Sequence, residues 1–333
     1  MRVLLTGAAG YLGSMLLQKL LARDHSVYGI DNLCYEQQFK FVDTSLLPTG
    51  TYLEILDTRN ISRIERIAEE FKPDVIVHFG DLSSVYACNH HPEYTVEVSQ
   101  IATRKLIKLA SKMDIPFVYN SSSSVYGLTG AYVALDEESE IPQPTDLYCH
   151  SKLLIENNLA TESSANKDFR FICFRPATVF GLSPRFRIEL LPNHFSYSAI
   201  ANGEVGVSNS RAFRAFISCD LLTDIYIKIL ELGNYPNRVY NIGSYNLSKL
   251  EVCAAIQRHA DFKLTVRDDP SDMRNLQIDC SRFEREIFEI PKRSFEEEIS
   301  EVCVWLRTNH ELLKSSSFAG LLNMPLPYWQ KLI

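Results

Sequence analysis

No Cys-x-x-Cys pair occurs in the chain. Its eight cysteines, at 34, 88, 149, 173, 219, 253, 280 and 303, are scattered through 333 residues. That spacing points to neither a zinc knuckle nor a disulfide framework; no metal is expected, and reduced thiols in a cytoplasmic protein fit it. No apolar run approaches the ~18 residues of a membrane span, so no membrane partner is expected. A basic footprint is missing too. Lys and Arg number 34 against 41 Asp and Glu, a net charge of −7, which argues against a dedicated nucleic-acid binder. Met1 leads directly into a strand-like run and a glycine loop, without a signal-peptide cleavage pattern. Internal repeats and low-complexity tracts are absent. What is present is 46% hydrophobic and 23% charged, the composition of a folded chain long enough for about two domains of ~150 residues.

Apolar periodicity alternates between strand and helix in the first half. Strands are expected at Arg2–Leu5, Val27–Ile30, Val75–Phe79, Phe117–Asn120 and Phe169–Phe174. Helices are expected at Leu12–Ala22, Ile61–Phe71, Val96–Ser111 and Leu147–Ala160. This alternation predicts parallel βαβ units in an open, doubly wound α/β sheet of the Rossmann type. After Arg175 the chain becomes irregular, with Pro176, Pro184 and Pro192 close together. The helix Leu221–Leu232 and the strand Val239–Ile242 still read as parts of the large sheet domain. Helices at Leu250–His259 and Phe295–Leu306 read as parts of a smaller, mixed α/β lobe. The expected division is 1–174 plus about 215–243 for the sheet domain and about 175–214 plus 244–312 for the lobe. Residues 313–333 form a Ser-rich, then apolar, tail of unassigned role.

The segment Thr6-Gly7-Ala8-Ala9-Gly10-Tyr11-Leu12-Gly13 lies between the first strand and the first helix. There a loop must turn tightly, admit a pyrophosphate to its backbone and bring helix close to strand, with the helix N–H groups facing the phosphates. The simpler reading is a structural tight turn. Asp31, with Asn32 behind it, follows the second strand 18 residues after Gly13. A carboxylate there accepts from both adenosine ribose hydroxyls and repels a 2′-phosphate, which favours NAD over NADP. Asp57, in Leu56-Asp57-Thr58, is placed to meet an adenine amine or to cap a loop.

Two further motifs carry chemistry. Tyr148-x-x-x-Lys152 puts a phenol and an ammonium on one helix face. With a pKa near ~10 the phenol is a weak base at neutral pH; a neighbouring Lys and a positive nicotinamide ring favour the phenolate. Upstream, Asn120-Ser121-Ser122-Ser123-Ser124-Val125-Tyr126-Gly127 closes a strand at the end of the sheet where ligands bind. A serine hydroxyl there shares a hydrogen bond with a substrate oxygen, or the serines form a polar loop.

Together, Gly7-x-x-Gly10-x-x-Gly13, the SSSSVYG segment and Tyr148-x-x-x-Lys152 resemble the extended short-chain dehydrogenase/reductase superfamily. More narrowly, they resemble its NAD-dependent nucleotide-sugar epimerase/dehydratase family. The likeness continues through Phe174-Arg175-Pro176-Ala177-Thr178-Val179-Phe180-Gly181, Arg214-Ala215-Phe216-Ile217, Val239-Tyr240-Asn241-Ile242-Gly243 and Asp272-Met273-Arg274-Asn275 with Asp279, so that it spans nearly all of 1–312. It implies Tyr148 as base, Ser122 as the catalytic hydroxyl and Lys152 as the group that orients the ribose and tunes Tyr148. It implies NAD contacts from Gly7, Gly10, Tyr11, Leu12, Asp31, Asn32, Asp57, Thr58, Phe79, Gly80, Ser121, Pro176 and Thr178. A nucleotide-diphosphate sugar would meet Ser83, Ser84, Ser122, Ser123 and Asn193, with Arg214 and Arg274 clamping the diphosphate. A homodimer joined through the Val96–Ser111 and Tyr148 helices is also implied, with Leu153 and Leu159 compatible with an outer face or with a core.

The departures from the family pattern are specific. His78-Phe79-Gly80-Asp81 stands where His-x-Ala-Ala is common, and Asp81 reads as a loop former or a proton-transfer group. Ser99 takes a helix position often held by Asn. Ser123 and Ser124 replace the Asp-Glu pair of sugar 4,6-dehydratases, and no Cys stands at Ser124 as in 3,5-epimerases of the family. Cys88, His90, His91 and Cys149 are spare acid/base candidates. The expected activity is epimerisation, most simply at C4. A dehydrogenase or ketoreductase is the alternative, and a non-catalytic NAD-binding regulator the second one.

Overall fold

The computed structural model describes residues 1–34, 52–127, 133–141, 144–267 and 275–315, with side chains to 310. In chain order, β1 (Arg2–Thr6), α1 (Tyr11–Leu21), β2 (Ser26–Asp31), β3 (Tyr52–Ile55), α2 (Ile61–Phe71) and β4 (Val75–His78) come first. Short helices α3 (Val85–His90) and α4 (Pro92–Thr95) lead into a π-helical stretch, Val96–Ala102, which continues as α5 (Thr103–Lys112). Then follow β5 (Phe117–Asn120), a 3-10 turn at Ser123–Tyr126, α6 (Leu147–Ala165), β6 (Phe171–Pro176) and β7 (Thr178–Phe180). The remainder is α7 (Leu191–Asn202), β8 (Glu204–Ser208), β9 (Phe213–Ser218), α8 (Cys219–Leu232), β10 (Arg238–Ile242), β11 (Tyr245–Ser248), α9 (Lys249–Gln257), β12 (Lys263–Arg267), α10 (Ser281–Glu286) and α11 (Phe295–Ser315).

Seven strands form one parallel sheet in the order β10-β6-β5-β4-β1-β2-β3. The order reverses between β1 and β4, which opens a crevice at the carboxyl ends of the strands. Alternate residues of β1 feed opposite faces: Val3 and Leu5 pack with Leu16, Leu17 and Leu20 of α1 and Leu221 and Ile225 of α8. Leu4 packs on the other side with Ile64 and Ile67 of α2, Leu106 of α5 and Ile155 and Leu159 of α6. The doubly wound Rossmann fold expected from the periodicity is therefore the fold observed. Leu159 is a core residue, with no exposure on an outer face.

Two smaller sheets carry the rest: mixed β11-β9-β7 and parallel β12-β8. Phe180, Phe195, Phe216, Val252, Phe295 and Val302 form their core. Residues 215–218, expected with the large sheet, lie in β9 of the mixed sheet. Helix α7 falls in the Pro-rich stretch read as irregular; Pro192 sits in its first turn, where a missing N–H costs nothing. Helix α6 runs five residues beyond the expected Ala160, α11 extends to Ser315, and 316–333 of the tail lie outside the described residues. The single helix expected over Val96–Ser111 is instead a π turn followed by an α-helix. No helix among the described residues is long and apolar enough to cross a membrane.

Candidate active site

The β1–α1 loop is built around close backbone approaches that exclude side chains. Gly7 has φ +69°, and a Cβ on it would sit 2.5 Å from the Phe79 carbonyl oxygen. A Cβ on Gly13 would sit 1.9 Å from the Gly7 carbonyl oxygen. The N-cap of α1 is Gly10, and no side chain caps that helix end. These glycines, with Tyr11, Leu12 and Asp31, form one wall of a cleft of about 390 Å³. Asp31 accepts from Ala9 N at 3.0 Å and Leu33 N at 2.8 Å. Burial pushes its carboxyl up, against those two amides and the Arg185 guanidinium, which comes from the loop after β7. Two amide bonds leave carboxylate lone pairs for a ribose. The glycine cradle and this carboxylate fit a dinucleotide.

Asn32 also lines the cleft, but Asp57 stands behind it. Asp57 accepts from Arg59 N at 2.8 Å, from Arg59 Nε at 3.0 Å and from Asn32 Nδ2 and Tyr94 Oη at 3.2 Å each. Tyr94 thus supplies a cleft-lining hydroxyl that the sequence reading missed. Thr58 is buried off the cleft lining, its hydroxyl unpartnered. Phe79 and Gly80 do line the cleft. A Cβ on Gly80 would come within 3.1 Å of Thr6 and Thr58.

The opposite wall is the end of β5 and the start of α6. Asp146 caps α6 by accepting from Cys149 N at 2.9 Å, which fixes where Tyr148 emerges. Tyr148, Ser121, Ser122 and Ser124 line the cleft. Tyr148 and Ser122 thus face the same cleft, and the Ser122 hydroxyl also accepts from Ser124 N at 3.1 Å. The burial of Tyr148 raises its phenol above the ordinary value, opposed by Lys152 and the Ser122 hydroxyl. Lys152 lies behind the cleft surface, 5.8 Å from the Tyr148 ring centre. Its ammonium donates to Asn120 O at 2.7 Å and to Asp81 Oδ2 at 2.9 Å. Asp81, read from the sequence foremost as a loop former, is a buried carboxylate facing Lys152, with a side-chain exposure of 3%. Ser99 accepts from Leu82 N at 3.2 Å and so fixes the turn after Asp81.

The third wall comes from β7, β9 and the loop before α7. Pro176, Thr178 and Arg214 line it, as do Ser83 and Ser84 across the cleft. Arg214 donates to Phe213 O at 2.9 Å. Ser83 accepts from Arg187 through its hydroxyl at 3.2 Å, tying the two sides together. Asn193 is not on the lining: its amide accepts from Gly181 N at 2.9 Å and donates to Arg187 O at 2.8 Å, so it shapes the loop rather than meeting a ligand. Ser123 is likewise buried in the 3-10 turn and off the lining. Arg274 lies outside the described residues. None of the spare candidates Cys88, His90, His91 and Cys149 lines the cleft. Cys88 is fully buried, its thiol pushed up to about 11 by that burial, and the Cys149 thiol donates to Ser124 O at 3.1 Å.

Residues 3–243 match the profile of the NAD dependent epimerase/dehydratase family. The chain belongs to that family. It is thereby an NAD-dependent enzyme of the epimerase/dehydratase group, and the glycine cradle and Asp31 fit the cofactor. A UDP-glucose 4-epimerase of Cyamopsis tetragonoloba is 24% identical over 337 residues, covering 92% of this chain and 95% of the relative. The crystal structure of UDP-glucose 4-epimerase with UDP-glucose from Thermotoga maritima superimposes with a TM-score of 0.82 at 20% identity, covering 93% of this chain and 100% of that one. A dTDP-glucose 4,6-dehydratase from Bacillus anthracis, in complex with NAD, has a TM-score of 0.81 at 22% identity, covering 93% and 98%. Both branches of the family share this fold, so the choice between them falls to the side chains in the cleft.

Three described acids line the cleft: Asp31, Asp81 and Glu189. Asp31 stands beside the glycine loop and Asp81 is spent on Lys152. Glu189 binds Arg187 Nε at 2.6 Å; burial pushes its carboxyl up but Arg187 holds it below the ordinary value. A phenol and a hydroxyl therefore face the cleft together, with no free carboxylic acid beside them among the described residues. That arrangement moves a proton to and from an alcohol, and it offers no acid to expel a second hydroxyl.

Proposed function

We propose that the chain is an NAD-dependent nucleotide-sugar 4-epimerase, with a UDP-hexose as the substrate class. The observation that carries this reading is that Tyr148 and Ser122 face one cleft, where Ser123 and Ser124 follow in place of acids. The names of the relatives support the same choice.

Bound NAD supplies the acceptor for a sugar hydride and gives it back. The protein's part is to hold and move the proton. Tyr148 takes the C4 hydroxyl proton, while Ser122 donates to the same oxygen and keeps it aimed at the phenol. Lys152 favours the phenolate from behind. When the ketone at C4 turns its other face, Tyr148 returns the proton to the new alcohol. Arg214, with Arg274, holds the diphosphate through the planar fork of its guanidinium. Gly7, Gly10, Tyr11, Leu12, Asp31 and Asn32 hold NAD, Asp57 acting through Asn32. The large-sheet domain thus carries the cofactor, and the lobe of the smaller sheets carries the sugar nucleotide. We place the enzyme in the cytoplasm, where eight unpaired cysteines suit a reducing medium. It acts as a homodimer through the Val96–Ala102 segment, α5 and α6, where Ile101 is exposed.

The experiment is a panel of nucleotide sugars incubated with enzyme and NAD and read by proton NMR and mass spectrometry. A C4 isomer formed without net change in cofactor supports the proposal. A 4-keto product with stoichiometric reduced cofactor makes the enzyme a dehydrogenase. Binding of NAD with no response to any sugar nucleotide makes it a regulator.

A further inference from the structure

Asp81 receives four hydrogen-bond donors from four different elements. His78 Nε2 of β4 lies 3.0 Å from Oδ1, and Thr103 Oγ1 of α5 donates to the same oxygen at 2.9 Å. Tyr119 Oη of β5 donates to Oδ2 at 2.7 Å, and Lys152 Nζ of α6 to the same atom at 2.9 Å. The neighbours are arranged to serve this carboxylate. Gly80 N donates to Thr6 Oγ1 at 3.2 Å, and Thr6 Oγ1 lies 2.6 Å from His78 Nδ1. With the Thr6 hydroxyl donating to Nδ1, the ring's own N–H is left on Nε2, facing Asp81. The Thr103 hydroxyl that faces Asp81 also lies 3.1 Å from the Val98 carbonyl in the π-helical turn and 2.9 Å from His78 Nε2, so its one proton is shared between Asp81 and that carbonyl. Asp81 and Lys152 are both nearly sealed from water, with side-chain exposures of 3% and 5%.

We propose that Asp81 is a positioning residue that acts through Lys152: it fixes the ammonium behind Tyr148 as one half of a neutral pair and thereby sets the pH range in which the phenol works. The proposal rests on the reading of Tyr148 and Lys152 as the catalytic pair. Held by the Asn120 carbonyl alone, the Lys152 ammonium would be a buried charge with no counter-charge beside it and would hold its proton less tightly. Asp81 prevents that. Its negative charge also subtracts from the field that Lys152 exerts on the phenol.

The other titratable groups facing the pair are few. From α6 there are Tyr148 itself and Asp146 at the helix cap; from α3, Cys88; from β6, Cys173; from β4 and β5, His78 and Tyr119. Burial keeps both thiols and Tyr119 in their neutral forms. Asp81 is the carboxylate in direct contact with Lys152. The directions agree with the geometry: burial would raise the Asp81 carboxyl, but Lys152 and His78 hold it far below the ordinary range. Burial would lower the Lys152 ammonium, but Asp81 and Tyr148 raise it.

Removing the negative charge must loosen every proton nearby, so Tyr148 and Lys152 both titrate at lower pH. The test is an ultraviolet titration of the phenolate in the NAD-free protein, each variant measured against the same variant carrying Tyr148→Phe. It needs no turnover, so it reads the Asp81 effect even if no nucleotide sugar proves to be a substrate. Asp81→Asn is expected to move the Tyr148 midpoint down by about one unit or more. Both limbs of the pH–rate profile should move the same way. Tyr119→Phe, which withdraws one donor and leaves the charge, is expected to move them up. An unmoved midpoint in folded Asp81→Asn overturns the proposal. If that variant does not fold, an unmoved or lowered midpoint in Tyr119→Phe overturns it instead.

Discussion

Glu156, one helical turn after Lys152, accepts from Arg175 Nη2 at 2.6 Å and from Arg175 Nε at 3.1 Å, and both side chains are about 6% exposed. Burial works against the Arg175 charge, but Glu156 and Tyr126 raise it above its ordinary value. This pair clamps α6 to β6, and Ser121 donates to Glu156 from the cleft side. Arg175→Met leaves a carboxylate buried and unpaired. The expected loss of stability is about 3–5 kcal/mol, and Arg175→Met combined with Glu156→Leu should cost clearly less. Urea unfolding of the single and the double variant checks the order.

The glycine loop gives a prediction about binding. Gly13→Ala places a Cβ 1.9 Å from the Gly7 carbonyl oxygen, so α1 must shift away from β1. Wild-type protein at 100 times the dissociation constant of NAD gains about 2.7 kcal/mol. In a thermal shift assay with NAD, Gly13→Ala should gain almost none of it while remaining folded.

Tyr148→Phe removes the proton-transfer group and keeps the ring. Turnover should fall by about 10² to 10⁴. The thermal shift with NAD should stay near the wild-type value, since the glycine loop and Asp31 are untouched. Loss of both together would mean that the phenol holds the cofactor rather than the proton.

The buried Asp81–Lys152 pair also predicts a pH dependence of stability. The Asp81 carboxyl is lowered in the folded state, so its contribution is complete above the unfolded value of about 3.9 and fades as pH falls towards the folded one. The Lys152 ammonium is raised, so its contribution is complete below about 10.4 and fades as pH rises through the folded value. Asp81→Asn should therefore be less stable than wild type at neutral pH. The gap in unfolding midpoint should narrow below about pH 4, as Asp81 of the unfolded wild-type chain takes up a proton that the folded pair still excludes. A gap that stays constant into acid would assign the loss to packing.

The sequence made the large sheet legible because its strands are short β-branched or aromatic runs between amphipathic helices, each carrying its own periodicity. The smaller sheets were harder. Strands such as Thr178–Phe180 and Tyr245–Ser248 are three or four residues long, and their partners are distant in the chain. Helix α7 was hidden by Pro192, whose effect depends on where in the helix it falls. The glycine loop, Tyr148 and Ser122, which line the cleft, and Lys152 behind it could be singled out because their motifs are local. Asp81 could be singled out as a departure from the family pattern, but not as the partner of Lys152. Its four donors come from residues 78, 103, 119 and 152, which only the folded sheet brings together. Asn193, expected at the substrate, spends its amide on Gly181 N and Arg187 O, partners that only the folded loop brings to it.

On the proposed mechanism the C4 hydride leaves and returns within the cleft while Tyr148 moves the hydroxyl proton. UDP-glucose carrying deuterium at C4, incubated with the enzyme and NAD, tests it most directly by NMR of the isomerised product. The account predicts UDP-galactose that keeps the deuterium at C4. An isomer whose C4 deuterium has exchanged with water would contradict it.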